Sequence, residues 1–179
     1  AFTDCVVTGG GTGNGMRFNT LTGTAVSMTN VVSTATGASG YGVYIFTVSS
    51  GCSFALTKVD AVSTGDTGMV VSTLSGSTIN IGGTSTVVGP TAGLHATTFA
   101  SSSLTLAFTT VTGGSSHGLL AESFDGSSAL TVTDSGMSST SASGAVVQSW
   151  IAAGGAATFT DCAITGGGDH GLVFTLLAG

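Results

Sequence analysis

The sequence predicts an all-β fold: a single-stranded parallel β-helix (β-solenoid) of about seven coils of ~26 residues, with three short strands per coil. Three observations predict it. A Gly followed by an apolar residue recurs at an even spacing. An apolar residue followed by Thr recurs in step with it. Gly, Ser and Thr dominate the chain, and abundant Thr, Val, Ser and Phe favour strands over helices.

The first marker opens a strand in every coil. Its successive spacings are 27, 26, 25, 25, 26 and 27 residues, at Gly15-Met16, Gly42-Val43, Gly68-Met69, Gly93-Leu94, Gly118-Leu119, Gly144-Ala145 and Gly171-Leu172. We therefore expect a single domain over 1–179. Its coils are predicted at about 1–23, 24–51, 52–76, 77–102, 103–127, 128–155 and 156–179.

The second marker predicts a second column of inward-facing side chains. Its apolar members are Phe2, Met28, Leu56, Phe108, Val132 and Phe159, with a break at Ile81. Alternation within a strand predicts that Leu104, Leu106 and Phe108 face the core together. Coils stacked at the strand spacing of about 4.8 Å would form a rod of roughly 34 Å.

Composition excludes several classes of function. Charged residues make up 6% of the chain, and its only basic side chains are Arg17 and Lys58. Nucleic-acid binding needs a basic surface and is therefore not expected. No apolar run is long enough to span a bilayer, so membrane insertion is not expected either. Abundant Ser and Thr hydroxyls with few charges suit an extracellular or cell-surface matrix protein.

The period and the strand pattern resemble the right-handed parallel β-helix superfamily, typified by pectate lyases, phage tailspikes and many surface adhesins. The resemblance covers the whole chain and depends on the repeat of about 26 residues. It implies right-handed winding. It also makes a polysaccharide-binding or polysaccharide-cleaving β-helix an alternative function.

The two ends of the sequence contain nearly identical segments, FTDCVVTGGG and FTDCAITGGG. Neither end shows a capping helix, a polar outer turn or a proline. Uncapped end coils must pair with something. We expect a structural protomer or segment of an extracellular fibre that pairs head to tail with copies of itself, or with flanking coils of a longer chain. Frayed ends on a monomer are the alternative. The expected assembly residues are Phe2, Cys5, Met16, Phe159, Cys162 and Leu172.

The three cysteines allow two interpretations. Cys5 and Cys162 share a column six coils apart, so they would lie about 4.8 Å apart across a junction between copies. A disulfide tolerates that separation of Cα atoms. Alternatively, both side chains point into the core as thiols. Cys52 lies elsewhere in its coil and has no expected partner.

Two acidic side chains carry the enzymatic alternative. Asp134 and Asp161 are expected on adjacent coils of one column, and carboxylates about 5 Å apart suit a retaining glycosidase or a weak calcium site. Asp4 and Asn30 hold the same column, which favours a row of turn caps instead. We therefore expect no catalytic residue and no cofactor, with Asp134, Asp161 and His170 as candidate catalytic residues of the alternative.

Comparison with the motifs of the superfamily also argues against an enzyme. Its polygalacturonases carry Gly-His-Gly, Asp-Asp and Arg-Ile-Lys motifs. Here His170 and His117 each lack the preceding Gly, no Asp-Asp pair occurs, and neither basic residue lies in an Arg-Ile-Lys context.

Outward Thr pairs suggest a third class, an ice-binding β-solenoid. They occur at Thr131-Val132-Thr133 and Thr158-Phe159-Thr160, and we expect Ala55 and Ala107 to interrupt the column. Thr also simply favours strand surfaces.

Overall fold

The computed structural model describes residues 1–125, 127–151 and 155–178. These residues form parallel β-strands and contain no helix that could cross a bilayer. The strands stack in seven layers, and the chain makes about six turns between the first layer and the last. The predicted parallel β-solenoid with a spacing of about 26 residues is confirmed.

In the first three layers, each coil contains one long strand of the first sheet and one strand of the second. These strands are β1 (Phe2–Gly9) and β2 (Met16–Thr22), β3 (Ala25–Ala35) and β4 (Val43–Ser49), and β5 (Ser53–Ser63) and β6 (Met69–Ser75).

In the last four layers the long strand is divided in two. The strands are β7 (Thr78–Gly82), β8 (Thr86–Gly89) and β9 (Leu94–Ala100); β10 (Ser103–Ala107), β11 (Thr110–Gly113), β12 (Leu119–Ala121) and β13 (Phe124–Asp125); β14 (Ala129–Thr133), β15 (Gly136–Ser139) and β16 (Ala145–Ile151); and β17 (Ala156–Thr160), β18 (Ala163–Gly166) and β19 (Leu172–Ala178). The last predicted coil includes Gly179, which lies outside the described residues.

A left-handed residue bends or divides the first sheet in every layer. We call these aligned residues the corner column, and φ lies between 48° and 66° at Asp4, Asn30, Lys58, Gly83, Phe108, Asp134 and Asp161. Asn, Asp and Gly tolerate this region best, which explains five of the seven. The corner reverses the strand's alternation, so side chains that follow it point inward again.

The first predicted inward column is confirmed in full. Met16 pairs with Val43, and the register continues through Met69, Leu94, Leu119 and Ala145 to Leu172. A glycine precedes each of these residues because there is no room for a side chain. A Cβ on Gly68 would lie 2.7 Å from the Val88 backbone, and one on Gly118 would lie 2.5 Å from the Gly144 carbonyl oxygen.

The second predicted column is wrong at two positions, Ile81 and Phe108. Leu106, not Phe108, pairs with Val132, and Ile81 continues the column through the fourth layer. Phe108 is 58% exposed, whereas Leu106 is fully buried. The reason is the corner. Phe108 has φ of 52°, which turns its side chain outward, and Thr109 after it is buried.

A ladder of hydrogen bonds joins the layers where the second sheet returns to the first. The backbone N–H of one residue donates to the side-chain oxygen or sulfur of the equivalent residue in the next layer, each time at 3.2 Å. We call this row the serine ladder, and it runs through Thr24, Cys52, Ser77, Ser102 and Ser128. Cys52 is 1% exposed and occupies a serine position there. Its thiol also donates to the Ser49 carbonyl oxygen at 3.1 Å. The ladder thus satisfies buried backbone groups that the bend removes from sheet pairing.

Candidate functional site

The two end layers are the most exposed part of the core. A strand inside the stack pairs with neighbours on both sides, whereas β1 pairs only with β3 and β17 pairs only with β14 among the described strands. Large apolar side chains are exposed as a result: Phe2 is 38% exposed, Leu172 36% and Phe174 43%. The ends therefore combine unpaired strand edges with apolar surface, which is the combination that favours pairing with another chain.

The two end layers have the same internal geometry. Phe2 meets Phe18 edge to face, with ring centroids 6.1 Å apart and an interplanar angle of 78°. Phe159 meets Phe174 in the same way, at 6.1 Å and 82°. These rings project from equivalent strands, β1 and β17 in the first sheet and β2 and β19 in the second. The first and last layers thus share this aromatic contact as well as a segment of sequence, although β1 is one strand and its counterpart is divided into β17 and β18.

The corner of each end layer repeats this likeness. Asp4 and Asp161 have the same φ of 51°. The thiol of Cys5 donates to the Thr3 carbonyl oxygen, and that of Cys162 to the Thr160 carbonyl oxygen, both at 3.1 Å. Both cysteines are half-buried, are free within the chain, and pack against the core.

All six predicted assembly residues lie in the end layers. Phe2, Cys5 and Met16 belong to the first layer, and Phe159, Cys162 and Leu172 to the last. Met16 contributes little surface because it is 8% exposed. Sequence reasoning missed Phe18 and Phe174. The available signal was the strand alternation, since each lies two residues after the inward residue that follows the marker glycine.

The candidate catalytic residues are only partly brought together. The register of β14 with β17 places Asp134 and Asp161 in adjacent layers of the corner column, as predicted. His170 lies at a different corner, before β19, where its Nε2 is 3.3 Å from Asp169 Oδ1. The Asp169 carboxylate also accepts a hydrogen bond from the Ser143 hydroxyl. The Asp169 carboxylate is thus engaged by neighbours at its own corner, away from Asp134 and Asp161.

The corner column brings polar side chains of neighbouring layers into direct contact. The Asn30 amide nitrogen donates to the Asp4 carboxylate at 2.6 Å. Within the described ranges, no group of three or more His, Cys, Asp or Glu side chains is placed to hold a metal ion. The expectation of no cofactor stays a prediction, with calcium beside Asp134 and Asp161 as its alternative.

An aromatic and basic cluster lies on the outer face of the second sheet, and sequence reasoning did not identify it. We call it the aromatic cluster, formed by Arg17, Tyr41, Tyr44 and Phe46. The Arg17 guanidinium lies 5.3 Å from the centre of the Tyr44 ring, and Tyr44 contacts both other rings, with centroids 5.1 Å and 5.8 Å away. Both tyrosines of the chain and half of its basic residues meet here.

Charge and burial affect one phenol of this cluster. Burial raises the pKa of Tyr41 above its ordinary value, and the nearby Asp66 carboxylate and Tyr44 raise it further.

The repeat was the sequence signal that could have located the aromatic cluster. The register that aligns Met16 with Val43 also places Arg17 beside Tyr44.

The outward threonines form short columns on the first sheet. Thr105, Thr131 and Thr158 are in register, and Thr133 lies beside Thr160. Ala55 and Ala107 interrupt two different columns, not one as expected, since Ala55 lies in the column of Thr105 and Ala107 in that of Thr133. Ice binding stays a prediction that a thermal hysteresis measurement tests.

Comparisons with protein-family models, curated proteins and solved structures found no match to this chain.

Proposed function

We propose that this chain is a structural protomer or segment of an extracellular or cell-surface fibre, in which the last layer of one unit stacks on the first layer of the next. The observation that supports it is the likeness of two uncovered end layers. Each presents an edge-to-face phenylalanine pair, a left-handed Asp corner and a half-buried thiol at equivalent positions.

Stacking would extend the contacts that already join the layers within the chain. The edge of β17 would pair with β1 of the next unit, and β19 would pair with β2. The exposed rings of Phe2 and Phe174 would leave water, which favours association. Because the contact is head to tail, it leaves a free end at each step and generates an open filament. Flanking coils of a longer chain would make the same contact.

We place the fold with right-handed parallel β-helices, because crossovers between parallel strands of one sheet are almost always right-handed. The adhesins that this repeat resembles suggest a location outside the cell. A chain in which charged residues make up 6% and hydroxyl side chains are abundant suits lateral packing of fibres.

Electron microscopy with two matched variants tests the fibre. Phe2 and Phe46 are similarly exposed, at 38% and 43%, but only Phe2 lies on an end layer. We expect micrometre filaments from the natural chain and from Phe46→Lys, and short particles from Phe2→Lys, with circular dichroism showing that each variant folds. Monomeric particles from the natural chain at every concentration would overturn the proposal, as would equal loss of filaments in both variants.

The aromatic cluster favours one further candidate function, binding of an acidic polysaccharide. Aromatic rings offer apolar faces to sugar rings, and the exposed Arg17 guanidinium could pair with a uronate carboxylate. We propose no catalytic residue for it. Affinity electrophoresis in polygalacturonate should show retardation that Tyr44→Ala abolishes. Phe108→Ala, at an isolated exposed ring, is the control, and retardation that is absent or unaffected by Tyr44→Ala would exclude this site.

A further inference from the structure

The corner column carries an uneven distribution of charge. Its first layer has Asp4, held by the Asn30 amide, and a cation, Lys58, follows in the third. Its last two layers have Asp134 and Asp161, and Phe108 precedes them. No cation of the described residues therefore neighbours the two carboxylates within the column.

We propose that the junction of the fibre keeps the internal register, so that Asp161 of one copy faces Asp4 of the next, and that this pair weakens stacking while both carboxylates are ionised. The inference rests on the proposed function. It is carried by the shared aromatic contact of the end layers and by the hydrogen bond between Asn30 and Asp4, which shows that two corner side chains one layer apart lie within reach of each other.

The register would put three carboxylates in consecutive layers: Asp134 and Asp161, then Asp4 of the next copy. Neighbours about 4.8 Å apart lie well inside the screening length of about 8 Å at physiological salt, so salt leaves most of their repulsion. The other charged side chains of the end layers lie outside this column, and the Ala1 amino group lies three residues before Asp4. Arg17 lies in the column that ends at Val173, and Asp169 and His170 lie at the corner before β19.

The direction of the pH dependence follows from the charge. Aspartate side chains as a class lose their proton near pH 4. The stacked state disfavours the ionised pair, so it binds protons more readily than the free chains do. Stacking is therefore strongest below this range and weakens as the pH rises through it. Repulsion at this spacing predicts that the critical concentration rises roughly tenfold between pH 4 and pH 7.

Asn and Lys substitutions at position 161 separate this pair from the general negative charge of the chain. Both residue types already occupy the corner column, at Asn30 and Lys58, so the left-handed corner accommodates them. Asp60→Asn is the matched control, because it removes the same charge from the middle of the stack, on β5.

The experiment measures the soluble protein that remains after filaments are pelleted, from pH 4 to pH 7. Asp161→Asn should assemble equally well at all pH values, Asp161→Lys should assemble better than the natural chain at pH 7, and Asp60→Asn should keep the pH dependence. Adding Asp4→Asn to Asp161→Lys should return assembly at pH 7 to the level of Asp161→Asn, because the new attraction and the original repulsion are then both absent.

The outcomes distinguish this inference from the fibre proposal. Filaments whose pH dependence is the same in Asp161→Asn and Asp60→Asn would overturn the paired carboxylates but leave the fibre. No benefit from Asp161→Lys would overturn the register. Absence of filaments in every variant at every pH would overturn the fibre, and this inference with it.

Discussion

Cys5 and Cys162 occupy the same corner position six layers apart, and each thiol donates to the backbone oxygen two residues earlier at 3.1 Å. Residues between them in this position include Ser85, Thr109 and Ser135, whose hydroxyls also donate to nearby carbonyl oxygens. The thiols therefore act as hydrogen-bonding side chains of the bend. Only the cysteines at the two ends remain half-exposed.

Thiol reactivity should report stacking. In unassembled protein we expect iodoacetamide to modify Cys5 and Cys162 but not Cys52, which is 1% exposed. Stacking should protect the first two, because a further layer would cover them. Mass spectrometry of alkylated peptides from soluble and pelleted protein provides the measurement. Equal modification of Cys5 in both fractions would argue against a covered end layer, and non-reducing electrophoresis tests whether the two thiols bond between copies.

Substitutions at Leu106, which faces the core, and at Phe108, which faces outward, should change the stability in opposite directions. Leu106→Ala should lower the free energy of unfolding by about 2–5 kcal/mol, because it leaves a cavity in a fully buried column. Phe108→Asn should raise it by about 1 kcal/mol, because Asn tolerates the left-handed corner better than Phe. Urea unfolding followed by circular dichroism measures both. A large loss of stability in the Phe108 variant would contradict its outward placement.

The serine ladder predicts that the Ser102 hydroxyl contributes to the stability of the fold. Ser102 Oγ accepts from the Ser77 N–H and donates to the Ala100 carbonyl oxygen. Ser102→Ala leaves the buried Ser77 N–H unpaired, while the Ala100 carbonyl oxygen still accepts from the Gly76 N–H, and should cost about 1–3 kcal/mol in thermal or urea unfolding. Ser102→Cys should cost less, because Cys52 occupies the same ladder. Equal losses from Ala and Cys would show that the hydrogen bonds are not the cause.

Tyr41 predicts a loss of stability at high pH. Its folded pKa is raised by burial first, and then by Asp66 and Tyr44, above the ordinary phenol value near 10. The folded state therefore keeps this proton longer than the unfolded state, so the contribution is fully present below pH 10 and declines as the pH rises through the folded pKa. Ultraviolet titration should show a late phenolate that Tyr41→Phe removes and Asp66→Asn shifts lower. A late phenolate that persists in Tyr41→Phe would assign the shift to Tyr44.

Much of the fold could be predicted from the sequence because the repeat is one-dimensional. A residue at one place in a coil contacts its counterpart in the next, so spacing alone located Met16 above Val43 and Cys5 in the column of Cys162. Phe108 could not be placed this way. Its backbone adopts the left-handed conformation that Asp and Asn mark in other layers, and a Phe carries no such signal.

Some residues of the candidate site could also be located from the repeat, and others could not. Phe2 and Phe159 were predictable as end-layer residues because each begins the same segment, FTDC. The neighbourhood of Arg17 and Tyr44 was also available from the repeat, because it follows from the register of Met16 with Val43, but the ring contacts of Tyr44 with Tyr41 and Phe46 needed side-chain positions. The pairing of Asn30 with Asp4 likewise needed side-chain positions.

The axial rise per chain in filaments, measured by electron cryomicroscopy, tests the central claim most directly. Seven layers at the strand spacing of about 4.8 Å, joined without a gap, predict a rise of roughly 34 Å per chain with strands perpendicular to the filament axis. Filaments with another rise, filaments whose strands run along the axis, or particles that never exceed one chain would contradict end-to-end stacking.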